Sequence, residues 1–182
     1  MCGDMPTSPA SVAPWVPGTL ADDVGSARSE IQRRRQLTQL KWAKLSVLAS
    51  THFGPIGSIS DRACIYVTGS MARDEATGDS DLDLFVIDRL KADDEKLDYV
   101  ETARLVAQLD KAREDAEFRD FSRGGHFVRT QSFQDLVGLI GDPKDDAKNA
   151  FTARILLLVN SKPLINHAAY REARNVILDR YW

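Results

Sequence analysis

Asp81 and Asp83 flank Leu82 and open the apolar run Leu84-Phe85-Val86-Ile87. In an extended chain alternate side chains share a face, so both carboxylates point one way and Leu82 and Leu84 the other. Neighbouring carboxylates repel, and an ionised carboxylate taken out of water is costly unless it is paired, hydrogen-bonded or bound to a metal. A divalent cation is the natural remedy. Mg²⁺ is commonly held by one or two carboxylates together with the phosphate oxygens of a substrate. Gly69-Ser70, ahead of the acids, supplies the complementary part. A glycine at a strand-to-helix turn lets the backbone approach a ligand, the N–H groups of a helix start favour phosphate, and Ser70 Oγ can donate to a phosphate oxygen. A metal beside a phosphate cradle is a site for displacing pyrophosphate from a nucleoside triphosphate, where catalysis is mostly positioning and charge neutralisation. Alone, a Gly-Ser turn or an Asp-x-Asp pair reads as ordinary turn or strand-edge chemistry. Their conjunction carries the inference.

Elements must hold these residues in place. "ACIYVTG" (63–69) and "DLDLFVID" (81–88) read as two strands, with a loop and a short helix starting at Ser70 between them. A long helix is expected over 27–50, with Leu37, Leu40, Ala43, Val47 and Leu48 as its apolar stripe. A second helix is expected over 92–115, burying Leu97, Val100, Ala103, Leu105 and Leu109, with Asp93, Asp94 and Glu95 serving its positive end. "GGHFVRTQ" (124–131) reads as a third strand, and the chain from Ser132 onward as helical, with Asp142, Asp145 and Asp146 in turns and caps. The expected fold is therefore α/β (α+β): a small mixed sheet flanked by helices. Three parts are expected: an N-terminal arm over 1–26, carrying four of the seven prolines, a domain over 27–131, and a helical extension over 132–182. The close on Tyr181-Trp182 suggests a fragment of a longer chain.

Composition narrows the class. At 182 residues the chain holds one ordinary domain, and 43% hydrophobic with 28% charged residues is typical of a globular one. A net charge of −3 gives no global sign of nucleic-acid binding, though it leaves room for a local basic patch such as Arg33-Arg34-Arg35. Cys2 and Cys64 are too few for a disulfide framework and lack metal-ligand spacing. No apolar run reaches membrane-spanning length, so a cytoplasmic protein with no membrane partner is expected.

"GSMARDEATGDSDLDLFVI" resembles the signature of the DNA polymerase beta-type nucleotidyltransferase superfamily, namely Gly-Ser, often followed by Ala-Arg, then Ser-Asp-x-Asp leading an apolar strand. Gly69, Ser70, Ala72, Arg73, Ser80, Asp81 and Asp83 stand in those places. The likeness is specific over 63–88. "DDAKNAFTARILLLVNSKPLIN" is similar to a segment that follows the catalytic domain in uncharacterised, protein-uridylyltransferase-like members. The resemblance implies that Gly69 and Ser70 bind the triphosphate, with Arg73 on phosphate or simply solvated. It implies that Ser80 orients the acidic loop and that Asp81 and Asp83 hold Mg²⁺ or Mn²⁺. The substrate would be a nucleoside triphosphate, ATP or UTP, and the acceptor a hydroxyl of a protein, an RNA end or a small molecule, with protein slightly favoured.

The superfamily usually adds a third carboxylate from a later strand. "GGHFVRTQ" carries Arg129 in that region instead of an acid. If residues 117–122 form the strand, Asp120 is the best candidate and Glu117 the second. If Arg129 takes the acid's place, acceptor activation is in doubt. The alternative is then a degenerate nucleotide-binding module, regulatory or of toxin–antitoxin type.

Overall fold

A computed structural model describes residues 20–53, 62–88, 96–121, 128, 130–147 and 149–182. In chain order the elements are α1 (Leu20–Phe53), β1 (Ala63–Val67), α2 (Gly69–Ala72), β2 (Leu84–Asp88) and α3 (Tyr99–Asp115). They continue with β3 (Thr130–Ser132), α4 (Phe133–Gly138), α5 (Lys144–Ala147), α6 (Ala150–Val159), β4 (Lys162–Ile165) and α7 (His167–Tyr181). The mixed α/β architecture is the expected one.

Every position of β1 and β2 is buried, because helices cover both faces of the sheet. The strand period divides their side chains between two cores. Ile65, Val67, Leu84 and Val86 meet Leu45 and Ala49 of α1 and Leu105 and Leu109 of α3. Cys64, Tyr66, Phe85 and Ile87 meet Leu136 of α4, Leu157 of α6 and Ile177 of α7. Burial pushes the Cys64 thiol up to about 12, which leaves it an inert core residue. Tyr66 stacks on Phe85 with ring centroids 5.4 Å apart and donates its hydroxyl to the Ala153 carbonyl at 2.8 Å. A fully buried tyrosine needs such a partner.

The four described strands run in the order β3-β2-β1-β4. β1 pairs antiparallel with β2, Val67 opposite Leu84, and antiparallel with β4. β2 pairs parallel with β3, Val86 opposite Thr130. β4 lies within the stretch expected to be helical. "KPLI" is short and contains Pro163, which argues against a strand from sequence alone. Proline is tolerated because, among the described strands, β4 pairs with β1 alone at the sheet edge, beside a register shift at Ile65/Tyr66.

Several other expectations change. α1 starts at Leu20, inside the stretch read as an arm, while residues 1–19 lie outside the described chain. Its buried side is Thr38, Leu45, Ala49 and Phe53. Leu40 and Val47, expected in the stripe, are 71% and 66% exposed. The helix turns instead to bring Thr38 against the loop after α2, where its Oγ1 accepts the Ala76 N–H at 2.9 Å. The second helix begins at Tyr99, because Asp98 and Glu101 form a reciprocal capping box. Leu97, Leu105 and Leu109 are buried as expected, whereas Val100 and Ala103 are exposed. Asp93, Asp94 and Glu95 lie outside the described residues. The boundary expected at 131/132 falls within β3, and α4, α6 and α7 pack on the sheet itself.

Asp145 is not a simple cap residue. It is buried and paired with Arg154, whose guanidinium is 1% exposed and also donates to the Leu136 carbonyl at 2.9 Å and the Tyr181 hydroxyl at 2.7 Å. Removing one partner of a buried ion pair leaves the other charge uncompensated. Arg154→Met is expected to lower stability by about 3–5 kcal/mol in urea denaturation. A loss well under 1 kcal/mol would show that the pair is replaceable by packing.

Candidate active site

The site forms where β1 stops. Val67 is the last strand residue, and the buried Thr68 extends the ladder by donating its N–H to the Asp83 carbonyl at 2.9 Å. The chain then makes the single turn of α2, closed by the Arg73 N–H on the Gly69 carbonyl and the Glu75 N–H on the Ser70 carbonyl. The ladder bond fixes Asp83 opposite the Thr68-Gly69 step. Gly69 has φ +67°, the left-handed region, and a Cβ there would lie 2.5 Å from Asp83 Oδ2. Only glycine satisfies both the backbone and this approach.

β2 starts at Leu84, so Asp81 and Asp83 precede the strand rather than belonging to it. The alternation still holds across Leu82, which is buried in the first core, while Asp83 lies two residues ahead of Phe85 of the second core. Asp83 is half-buried and Asp81 exposed. A cavity of about 340 Å³ opens beside Asp83. Gly69, Arg73 and Asp83 border it, together with Thr68, Phe85, Leu156 and Asn160. Ser70, Ser80 and Asp81 are near in sequence but do not line it. Arg73 is exposed, and its Nε bonds Glu75 Oε2 at 2.7 Å. Ser80 Oγ accepts the Thr77 N–H at 2.8 Å, closing the turn ahead of Asp81.

The loop from Arg73 to Asp81 is tied down from three sides. Thr38 and Lys41 of α1 reach Ala76 and the Gly78 carbonyl. Lys162 of β4 pairs with Asp74 at 2.7 Å, and Arg119 with Asp79 at 2.6 Å. Burial holds the Lys41 ammonium below its ordinary value, against the opposing pull of Asp79 and Glu117. Asp74 takes φ +60°, a turn conformation that aspartate tolerates better than most residues.

Asp120 lies elsewhere. Residues 118–121 form no strand; Asp120 is 97% exposed and sits 3.2 Å from Arg113 Nη1. It borders a different cavity with Tyr99 and Phe121. Glu117 is exposed, has φ +59° and pairs with Lys44. Of "GGHFVRTQ", only Thr130 and Gln131 fall in β3, and His126 and Arg129 are outside the described residues. Among the described residues no three His, Cys, Asp or Glu side chains gather as a metal cluster. His52 bonds Asp115 at 2.9 Å, tying α1 to α3.

Thr68, Phe85, Leu156 and Asn160 carried no site signal in the sequence. Asn160 follows the last apolar residue of "ARILLLV", where asparagine reads simply as a helix stop. Leu156 reads as core.

Gly69→Ala is expected to destabilise the fold by about 1–2 kcal/mol from backbone strain alone, with a further cost from displacing Asp83. Urea midpoints for the variant and the parent protein check this. An unchanged midpoint would remove the steric account of Gly69.

Among the described residues no helix is long and apolar enough to cross a membrane. No curated protein matches the chain, and no solved structure does. One family model, described as a nucleotidyltransferase domain, matches residues 56–129, the segment that contains β1, Gly69, Asp81, Asp83 and β2. The strand-turn-strand unit that sets Asp83 over Gly69 thus lies within the segment that matches the nucleotidyltransferase domain model.

Proposed function

We propose that the chain is a metal-dependent nucleotidyltransferase that moves a nucleoside monophosphate from a nucleoside triphosphate to a hydroxyl acceptor. A bond forms between the acceptor oxygen and the α-phosphorus, the bond to the leaving pyrophosphate breaks, and the hydroxyl loses its proton. The convergence of Gly69, Arg73 and Asp83 on one cavity carries this reading.

The residues fit a hard divalent cation. Carboxylate oxygens are its preferred ligands, and Mg²⁺ needs only one or two of them when phosphate oxygens complete the shell. Asp81 and Asp83 would hold Mg²⁺ or Mn²⁺, which when bound neutralises charge on the triphosphate and its leaving group. Gly69 leaves room for the Asp83 carboxylate at the cavity, and Arg73 adds a positive group that would attract phosphate at its edge. α1 and β4 keep the connecting loop in place through Thr38, Lys41 and Lys162, so little reorganisation is needed on binding. ATP and UTP are the first nucleotides to test. A protein hydroxyl is the favoured acceptor, on the likeness of residues 145–166 to protein-uridylyltransferase-like chains. RNA and small molecules are the other acceptor classes, and a cytoplasmic location suits all of them.

The absence of a three-acid cluster among the described residues favours a second reading, a nucleotide-binding module without turnover. Asp120 could supply the third acid only by leaving Arg113.

α-Labelled ATP or UTP, Mg²⁺ or Mn²⁺ and host-cell lysate separate the two. Label transferred to a macromolecule or metabolite is expected. Asp81→Asn and Asp83→Asn should each lower the rate by about 10²-fold or more with circular dichroism unchanged. Wild-type rates in both variants would remove the metal assignment. Nucleotide binding without label transfer would select the binding module.

A further inference from the structure

The cavity that Asp83 borders has a further polar residue in its lining, Asn160. Asn160 caps α6 through its backbone, donating its N–H to the Leu156 carbonyl at 2.9 Å, and the chain turns there towards β4. Its side chain does not join the cap. Asn160 Oδ1 is cut off from solvent and accepts no hydrogen bond from the described residues, although the residue borders the cavity with Leu156 and Phe85. A carboxamide carries both donors and an acceptor, and leaving such a buried acceptor unmatched is costly.

The residues that line the cavity fall into two chemical kinds. Gly69, Arg73 and Asp83 suit phosphate and cation. Asn160, Leu156 and Phe85 are uncharged and suit the uncharged half of a nucleotide. Resting on the nucleotidyltransferase reading above, we propose that the Asn160 carboxamide hydrogen-bonds the nucleoside half of the bound nucleotide, at a sugar hydroxyl or a base edge, and so sets nucleotide preference. A site built to hydrogen-bond a group rejects the analogue that lacks it.

Calorimetric titration of the full chain with Mg²⁺ and ATP, 2′-deoxyATP, UTP or inorganic tripolyphosphate tests this. Asn160→Ala is expected to bind ATP or UTP roughly tenfold more weakly while binding tripolyphosphate like the parent protein. The nucleotide whose affinity the substitution leaves unchanged identifies the group that Asn160 reads. The near-isosteric Asn160→Leu, which removes both donor and acceptor without adding charge, should also weaken nucleotides more than tripolyphosphate, and it serves if the alanine variant does not fold. Unaltered affinities in both variants would overturn the role of Asn160 alone. Equal loss for tripolyphosphate and nucleotide would also overturn it, because Asn160 would then act on the phosphate end or on the fold. No nucleotide binding by the parent protein would overturn the nucleotide reading itself, and this inference with it.

Discussion

The site depends on one close approach, the Asp83 carboxylate over the bare α-carbon of Gly69. A side chain at Gly69 would collide with Oδ2, and the backbone there is already left-handed. The Thr68–Asp83 ladder bond gives this approach its register, and the antiparallel pairing of β1 and β2 gives the bond its place. Sequence neighbours of a strand end are thereby converted into partners across a sheet. An acid and a glycine turn come together without any long-range connection beyond one hairpin-like pairing.

That approach is useful only if the intervening loop cannot wander. The restraint comes from elements far away in sequence. Thr38, 38 residues before Ala76, is fully buried and holds its N–H, and Lys162, 88 residues beyond Asp74, pairs with its carboxylate. Lys162 also lies 5.3 Å from the Trp42 ring centroid, so β4 and α1 meet beside the loop they restrain. β4 therefore does more than close a sheet edge. α6 and α7 fill the second core and place Leu156 and Asn160 on the cavity, so the segment after residue 132 completes the site-bearing sheet.

The pairing of the Gly69 turn with the Asp81-Leu82-Asp83 segment was legible because its requirements are local. Glycine at a strand end, a polar loop and alternating acids before an apolar run each express a short-range rule. β1, β2 and the capped helix around Leu105 and Leu109 follow for the same reason. What sequence misassigned depended on tertiary partners. Leu40 and Val47 obey a helical period but face solvent, because α1 is turned to present Thr38 and Leu45. "KPLI" lacks strand character by itself and becomes a strand only because β1 offers an open edge. Asp145 looked like turn chemistry until Arg154 was placed beside it. Asn160 was hidden by its ordinary role at a helix end.

Thermal unfolding with Mg²⁺ alone, ATP or UTP alone, and metal and nucleotide together tests the Gly69–Asp83 juxtaposition most directly. The account predicts a rise in Tm that needs both components, equivalent to about 2.7 kcal/mol when ligand reaches a hundredfold its Kd. It also predicts that Asp83→Asn loses that rise. A Tm unmoved by either nucleotide over a wide range with Mg²⁺, or an undiminished rise in Asp83→Asn, would contradict the account.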